Sequence, residues 1–274
     1  MRTPALLAMT VLAILALAAP AQGAVATKKG ASANGVDGAG EALGNVGASW
    51  FYTWATNPQG IAAPQGVEFV PMVWGAGSVT PEGLAEAKSN GSTLLAFNEP
   101  DLAEQANLTV EQALELWPRL EETGMRLGAP AVAFGGDVAG GWLDRFLAGA
   151  AERDYRVDFI PLHWYGQDFS AEATGHLESY LRAVHERYGK PIWLTEYALI
   201  DFSSGTPRYP TEAEQVAFIR ASTAMLADQS YVERYAWFTL STAVSPTGLC
   251  DGAVPNSAGA AYRDAGAFSS AGWG

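Results

Sequence analysis

The stretch Leu94-Leu95-Ala96-Phe97-Asn98-Glu99-Pro100 is an apolar run that ends on a carboxylate and a proline. A short apolar run bounded in this way reads as a strand covered on both faces, the kind found in parallel sheets, and Pro100 marks its exit. A second run ends in the same manner: Ile192-Trp193-Leu194-Thr195-Glu196-Tyr197, with a break predicted at the aromatic residue. Outward from these two, similar runs place further strands at Lys29–Ser32, Ala48–Thr53, Glu68–Val73, Arg126–Ala131, Val157–Trp164 and Arg234–Thr239, with the first two at Thr93–Phe97 and Pro191–Glu196.

Helical segments lie between them. Thr80-Pro81 sets a cap residue before a proline at the first helical position. Thr109-Val110-Glu111-Gln112 reads as a capping box, followed by Ala113, Leu116, Trp117 and Leu120 at helical spacing. His176–Tyr188 carries Leu177, Tyr180, Val184 and Tyr188 on one stripe and stops at Gly189. Thr211-Glu212-Ala213-Glu214 opens another helix. Alternation of this kind favours parallel pairing through crossovers. Eight strands predict an α/β fold, a single-domain (β/α)8 TIM barrel over residues 24–274.

Residues 1–23 are expected to stand outside that fold. Arg2, the apolar stretch from Ala5 to Ala19, and small residues at Ala21 and Gly23 read as a secretory signal peptide cut before Ala24. The stretch is short for a membrane span. The expected product is secreted and free of the membrane after cleavage. One cysteine, Cys250, excludes an internal disulfide framework and reads as a buried filler. A formal charge of −13 argues against nucleic acid or an anionic membrane as partner. A monomer acting on a neutral, hydroxyl-rich substrate fits that balance.

A parallel barrel carries its chemistry at the C-terminal ends of its strands. Glu99 follows the fourth predicted strand and Glu196 closes the seventh. Two carboxylates from different strands suit hydrolysis of a glycosidic bond, which needs a proton for the departing oxygen and stabilisation of an oxocarbenium-like centre. The two must differ in protonation, with Glu99 expected to hold the proton and Glu196 the charge. Strict alternation sends Asn98 and Glu99 to opposite faces, so a bulge or twist is required at that strand end.

The chain is similar to clan A glycoside hydrolases in its strand-four Asn-Glu and strand-seven Glu. Five blocks in order resemble glycoside hydrolase family 128: Phe69-Val70-Pro71-Met72-Val73-Trp74-Gly75, Phe97-Asn98-Glu99-Pro100-Asp101, His163-Trp164-Tyr165-Gly166, Trp193-Leu194-Thr195-Glu196 and Tyr235-Ala236-Trp237-Phe238. The resemblance runs from about Lys29 to Tyr262. It implies a retaining endo-β-1,3-glucanase with Glu99 as general acid/base and Glu196 as nucleophile. It also implies that Asn98 bonds the sugar 2-hydroxyl. The tail after Ala243 matches only loosely.

Other residues are candidates for substrate binding. His163 and Tyr165 share a strand face, with Trp164 on the other. Tyr165 is placed to donate to an anionic carboxylate. His163 either orients a sugar hydroxyl or is a histidine satisfied inside the barrel mouth. Flat sugar faces stack on aromatic rings, which makes Trp54, Trp74 and Trp237 candidate subsite walls, while Trp50, Trp117, Trp142 and Trp193 read as structural. Asp101 assists the acid or caps a loop. His176 and His185 read as solvated helix residues, so no metal site and no cofactor are expected. Two alternatives stay open: a clan A hydrolase of another β-glucan or a mannan, and a glucan-binding barrel without catalysis.

Overall fold

The computed structural model describes residues 28–265, so the leader expected at residues 1–23 lies outside the described residues. Eight strands follow in the expected order: Lys29–Ser32, Trp50–Tyr52, a third in two halves (Glu68–Phe69 and Met72–Val73), Thr93–Asn98, Arg126–Ala131, Ile160–Gly166, Ile192–Leu199 and Val232–Trp237. Pro71 stands at the break in the third strand, where its missing N–H removes a ladder bond. The first half pairs with the second strand and the second half with the fourth. The first strand pairs with both the second and the eighth, the fourth with the fifth, and the seventh with the sixth and eighth, all parallel. A parallel bridge at Gly128 and Phe159 links the fifth strand to the sixth. The circuit therefore returns to its start, as a barrel requires.

Helices Ala39–Asn45, Pro81–Asn90, Val110–Glu121, Trp142–Glu152, Ala173–Tyr188, Glu212–Asp228 and Ser257–Asp264 alternate with the strands. The predicted caps form: Thr80 accepts from the Gly83 N–H, and Thr109 and Thr211 make full capping boxes with Gln112 and Glu214. Residues 53–67 join the second and third strands without a helix, and Pro58, Gly60, Pro64 and Gly66 account for that. Two adjacent lysines tie the first strand to helix ends. Lys28 Nζ donates to the Leu226, Ala227 and Gln229 carbonyls, and Lys29 Nζ to those of Tyr262, Arg263 and Ala265. Both satisfy last-turn carbonyls that a helix leaves unpaired. Cys250 is buried, as the sequence suggests, and burial, reinforced by Asp251, pushes its thiol up to about 11.

The barrel interior is an aromatic plug. Trp50, Tyr52, Val70, Met72, Leu95, Phe159, Trp193 and Ala236 form a cluster separate from the strand–helix core. At its base, Arg126 lies 4.8 Å from the Phe159 ring centre and Arg234 4.4 Å from that of Trp193. Ion pairs to Glu233 (2.7 Å) and Glu68 (2.6 Å) complete this floor. Gly30 leaves room for the plug, because a Cβ there would lie 2.4 Å from the Trp50 indole. Gly30→Ala is expected to cost about 1–3 kcal/mol of stability by overpacking. Thermal unfolding measures it, and an unchanged Tm would contradict the tight fit.

Two irregularities aim the carboxylates. In the seventh strand, Leu162 and His163 of the sixth oppose Leu194 and Glu196, and Tyr235 and Trp237 of the eighth oppose Leu194 and Tyr197. One extra residue, at Thr195–Glu196, is thus inserted relative to both neighbours. Trp193 faces the lumen, and the bulge turns Glu196 inward although alternation alone would send it out. The strand does not break at Tyr197, as the sequence reading expected, but runs on to Leu199. In the fourth strand, the register with the fifth shifts twice between Leu94 and Asn98. Phe97 and Glu99 there adopt φ of 39° and 44°, the left-handed region. The required bulge is present, and Asn98 and Glu99 reach the same cleft.

Candidate active site

Glu99 and Glu196 meet at the C-terminal mouth of the barrel, both nearly buried. An oxygen of each, together with a ring nitrogen of His163, lies within 4.8 Å of the others. That separation fits the pair of a retaining glycosidase, about 5–5.5 Å, and falls short of the roughly 6.5–9.5 Å of an inverting one. His163 sits between them: Nδ1 is 2.8 Å from Glu99 Oε1, and Nε2 is 3.5 Å from Glu196 Oε1.

Glu196 is surrounded by donors. Tyr52 Oη donates to Oε1 at 3.1 Å, Trp54 Nε1 to the same oxygen at 2.8 Å, and Tyr165 Oη to Oε2. Three donors thus converge on one carboxylate. Burial first, and then the Glu196 charge, holds both tyrosine hydroxyls well above their ordinary pKa, which keeps them protonated as donors. Glu99 and Glu196 with His163 offer three donor atoms in close reach. Glu196 is already engaged by three protein hydrogen-bond donors, and Glu99 by His163.

These groups line a cleft of about 1120 Å³ across the barrel mouth, bordered by Asn34, Gln59, Trp74, Gln105, Phe134 and Phe202, among others. The sequence pattern of the glycosyl hydrolase catalytic core family matches residues 30–262. The chain is similar to a subgroup I endo-β-1,3-glucanase of glycoside hydrolase family 128 (GH128) from Amycolatopsis mediterranei, solved with laminaritriose. The two are 69% identical, over 88% of this chain and 100% of that one, with a TM-score of 0.87. The chain belongs to GH128.

A subgroup II GH128 endo-β-1,3-glucanase from Sorangium cellulosum is more distant, at 30% identity, 87% and 98% coverage and a TM-score of 0.74. Among curated proteins, alkali-sensitive linkage protein 1 of Schizosaccharomyces pombe is 31% identical over 205 residues, 72% of this chain. The chain spans only 36% of that relative's length.

Within the GH128 cleft, the expected site residues divide. Asn98, Glu99, His163, Tyr165, Glu196, Trp54 and Trp74 all line it. Trp237 does not: it is fully buried, packs against Tyr197 at 5.0 Å between ring centres, and donates its N–H to the Thr247 carbonyl. Ala236 faces the lumen, so Trp237 points outward by alternation. The next residue, Phe238, forms the wall instead, edge-on to Trp54 and Tyr165 at 6.0 and 5.4 Å. His163 borders the cleft while only 1% exposed, with Nδ1 held at Glu99 Oε1 and Nε2 left without a hydrogen-bond partner 3.5 Å from Glu196 Oε1. Trp164 turns away to stack on Phe218 at 5.8 Å.

Asp101 resolves as a loop anchor. Its Oδ1 accepts from the Ala133 N–H at 2.9 Å and ties the exit of the fourth strand to that of the fifth. Burial raises its pKa, and the backbone bonds it accepts oppose that. His176 is exposed as expected, whereas His185 stacks on Tyr231 at 4.4 Å. Tyr52, which donates to Glu196, is not singled out by the sequence reading. In Trp50-Phe51-Tyr52 it shares the inward face with Trp50, and a buried tyrosine hydroxyl needs a partner. Phe134 and Phe202 carried no periodic signal, because both sit on loops.

Proposed function

We propose that this chain is a secreted, monomeric endo-β-1,3-glucanase that cleaves its polysaccharide with retention of anomeric configuration. The observation that carries the reading is the pair of buried carboxylates within 4.8 Å, one of them held by three N–H and O–H donors. Glu99 protonates the glycosidic oxygen while Glu196 attacks the anomeric carbon and forms a glycosyl ester. Glu99 then takes a proton from water, which displaces Glu196. Asn98 supports this arrangement: its Nδ2 donates to Gln105 at 3.1 Å, and its buried Oδ1 has no partner, an acceptor suited to a sugar hydroxyl. Trp54, Trp74 and Phe238, joined by the exposed Phe134 and Phe202, present ring surface to the sugar units. The similarity to an enzyme crystallised with laminaritriose supports a β-1,3-linked substrate.

Digestion of laminarin, curdlan and cellulose tests the proposal. Oligosaccharides of mixed length are expected early from the first two and none from cellulose. Release from cellulose in preference to laminarin would move the substrate class, and binding without cleavage would leave a glucan-binding barrel.

Tyr165→Phe is expected to lower kcat about ten- to a hundredfold, since a hydrogen bond to a charged group contributes about 1.5–3 kcal/mol. An unchanged kcat would show that this hydroxyl does not hold the carboxylate in place.

A further inference from the structure

The cleft accounts for the carboxylates and the aromatic rings, but not for a fully buried imidazole placed between the two reacting groups. We propose that His163 is the positioning residue of the acid/base: it shares one proton with Glu99 across Nδ1, with Nε2 on the side of Glu196. The proposal rests on the catalytic roles assigned above.

Geometry leaves the ring little else to do. His163 borders the cleft but is 1% exposed, so it offers a bound sugar almost no surface. Nδ1 lies at hydrogen-bond distance from Glu99 Oε1, 2.8 Å. Nε2 is buried with no hydrogen-bond partner, and Glu196 Oε1 lies 3.5 Å from it. An N–H there meets an anion, whereas a bare lone pair would face one. The favoured tautomer therefore carries its hydrogen on Nε2, which leaves Nδ1 to accept from a protonated Glu99.

Moving that hydrogen from Glu99 to Nδ1 yields an imidazolium between two carboxylates with the same total charge. The two forms are tautomers of one state, and the proton belongs to the pair. Every charged group near the ring acts in one sense. Glu196 on the seventh strand, Glu99 at the end of the fourth and Asp101 on its exit loop are all acidic, and Tyr52 and Tyr165 meet Glu196 as neutral donors. Burial opposes the imidazolium, and these acidic neighbours outweigh it, so the pKa of His163 is raised.

A proton with two sites is held more tightly than at either alone. It also pins the Glu99 carboxyl in one rotamer, with Oε2 left to face the glycosidic oxygen. Protonation of the leaving oxygen takes the proton from the pair, and the attacking water returns it. His163 ends each cycle unchanged.

His163→Phe and His163→Gln test this against wild type, with retained Tm as the control for folding. On laminarin, whose leaving group is a poor one, kcat/KM is expected to fall about a hundredfold, within the usual span of acid/base assistance. On a dinitrophenyl β-laminaribioside, whose leaving group needs no proton, the fall is expected to be several-fold at most. The alkaline limb of kcat/KM on laminarin should move to lower pH by about one unit. His163→Gln, which keeps a hydrogen-bonding side chain, should recover part of the rotamer effect but not the limb. Equal losses on both substrates with an unmoved limb would overturn the proposal and leave the histidine a packing residue. A wild-type enzyme inactive on both substrates would instead overturn the catalytic reading itself.

Discussion

Glu196→Ala is expected to lower kcat on laminarin by about 10⁵-fold or more, with oligosaccharide affinity nearly unchanged. The size follows from what the side chain does. In the proposed mechanism it forms the bond that divides one difficult displacement into two, and its removal leaves only water to attack. Tyr52, Trp54 and Tyr165 would then donate into empty space. A small anion such as azide fits where the carboxylate stood. It should restore part of the rate on an aryl glycoside and give a product of inverted configuration. Hydrolysis at the wild-type rate would remove Glu196 from the mechanism.

The second large effect is expected at Glu99. Glu99→Gln should reduce kcat/KM on laminarin about 10³- to 10⁴-fold, the usual span of general acid–base assistance. The substitution keeps the shape of the side chain and its reach to His163 Nδ1, 2.8 Å away, but supplies no transferable carboxyl proton. On a dinitrophenyl glycoside the first step should survive and the second should limit, so that glycosyl-enzyme accumulates and a burst of phenolate appears. The alkaline limb of the laminarin pH profile should also disappear. A variant with equal losses on the two substrates would contradict the assignment of acid/base to this residue.

Much of this arrangement could be read from sequence, and its errors have a common physical source. Apolar runs and capping residues such as Thr80, Thr109 and Thr211 locate strands and helices because those signals are local. The closing carboxylates are visible for the same reason. Which way a side chain points near a strand end depends on bulges, which depend on neighbouring strands. Counting by twos from Trp193 sends Glu196 outward, and only the extra residue opposite His163 brings it in. The need for a bulge at Asn98-Glu99 could be inferred, because two polar residues side by side had to share one site.

At the eighth strand no such conflict is present in the sequence. Trp237 is an attractive platform on composition, yet alternation buries it, and Phe238 takes the place. The exposed rings of Phe134 and Phe202 lie on loops whose course is set by tertiary contacts, such as the bond from the Ala133 N–H to Asp101. His163 was legible as a mouth residue, but its position between both carboxylates depends on how the fourth, sixth and seventh strands come together.

The most direct test of the central claim is an NMR spectrum of the first products released from laminarin, recorded before mutarotation. Two carboxylates within 4.8 Å predict a β-anomer as the initial reducing end. An initial α-anomer would mean inversion, and would contradict a mechanism in which Glu196 bonds directly to the sugar.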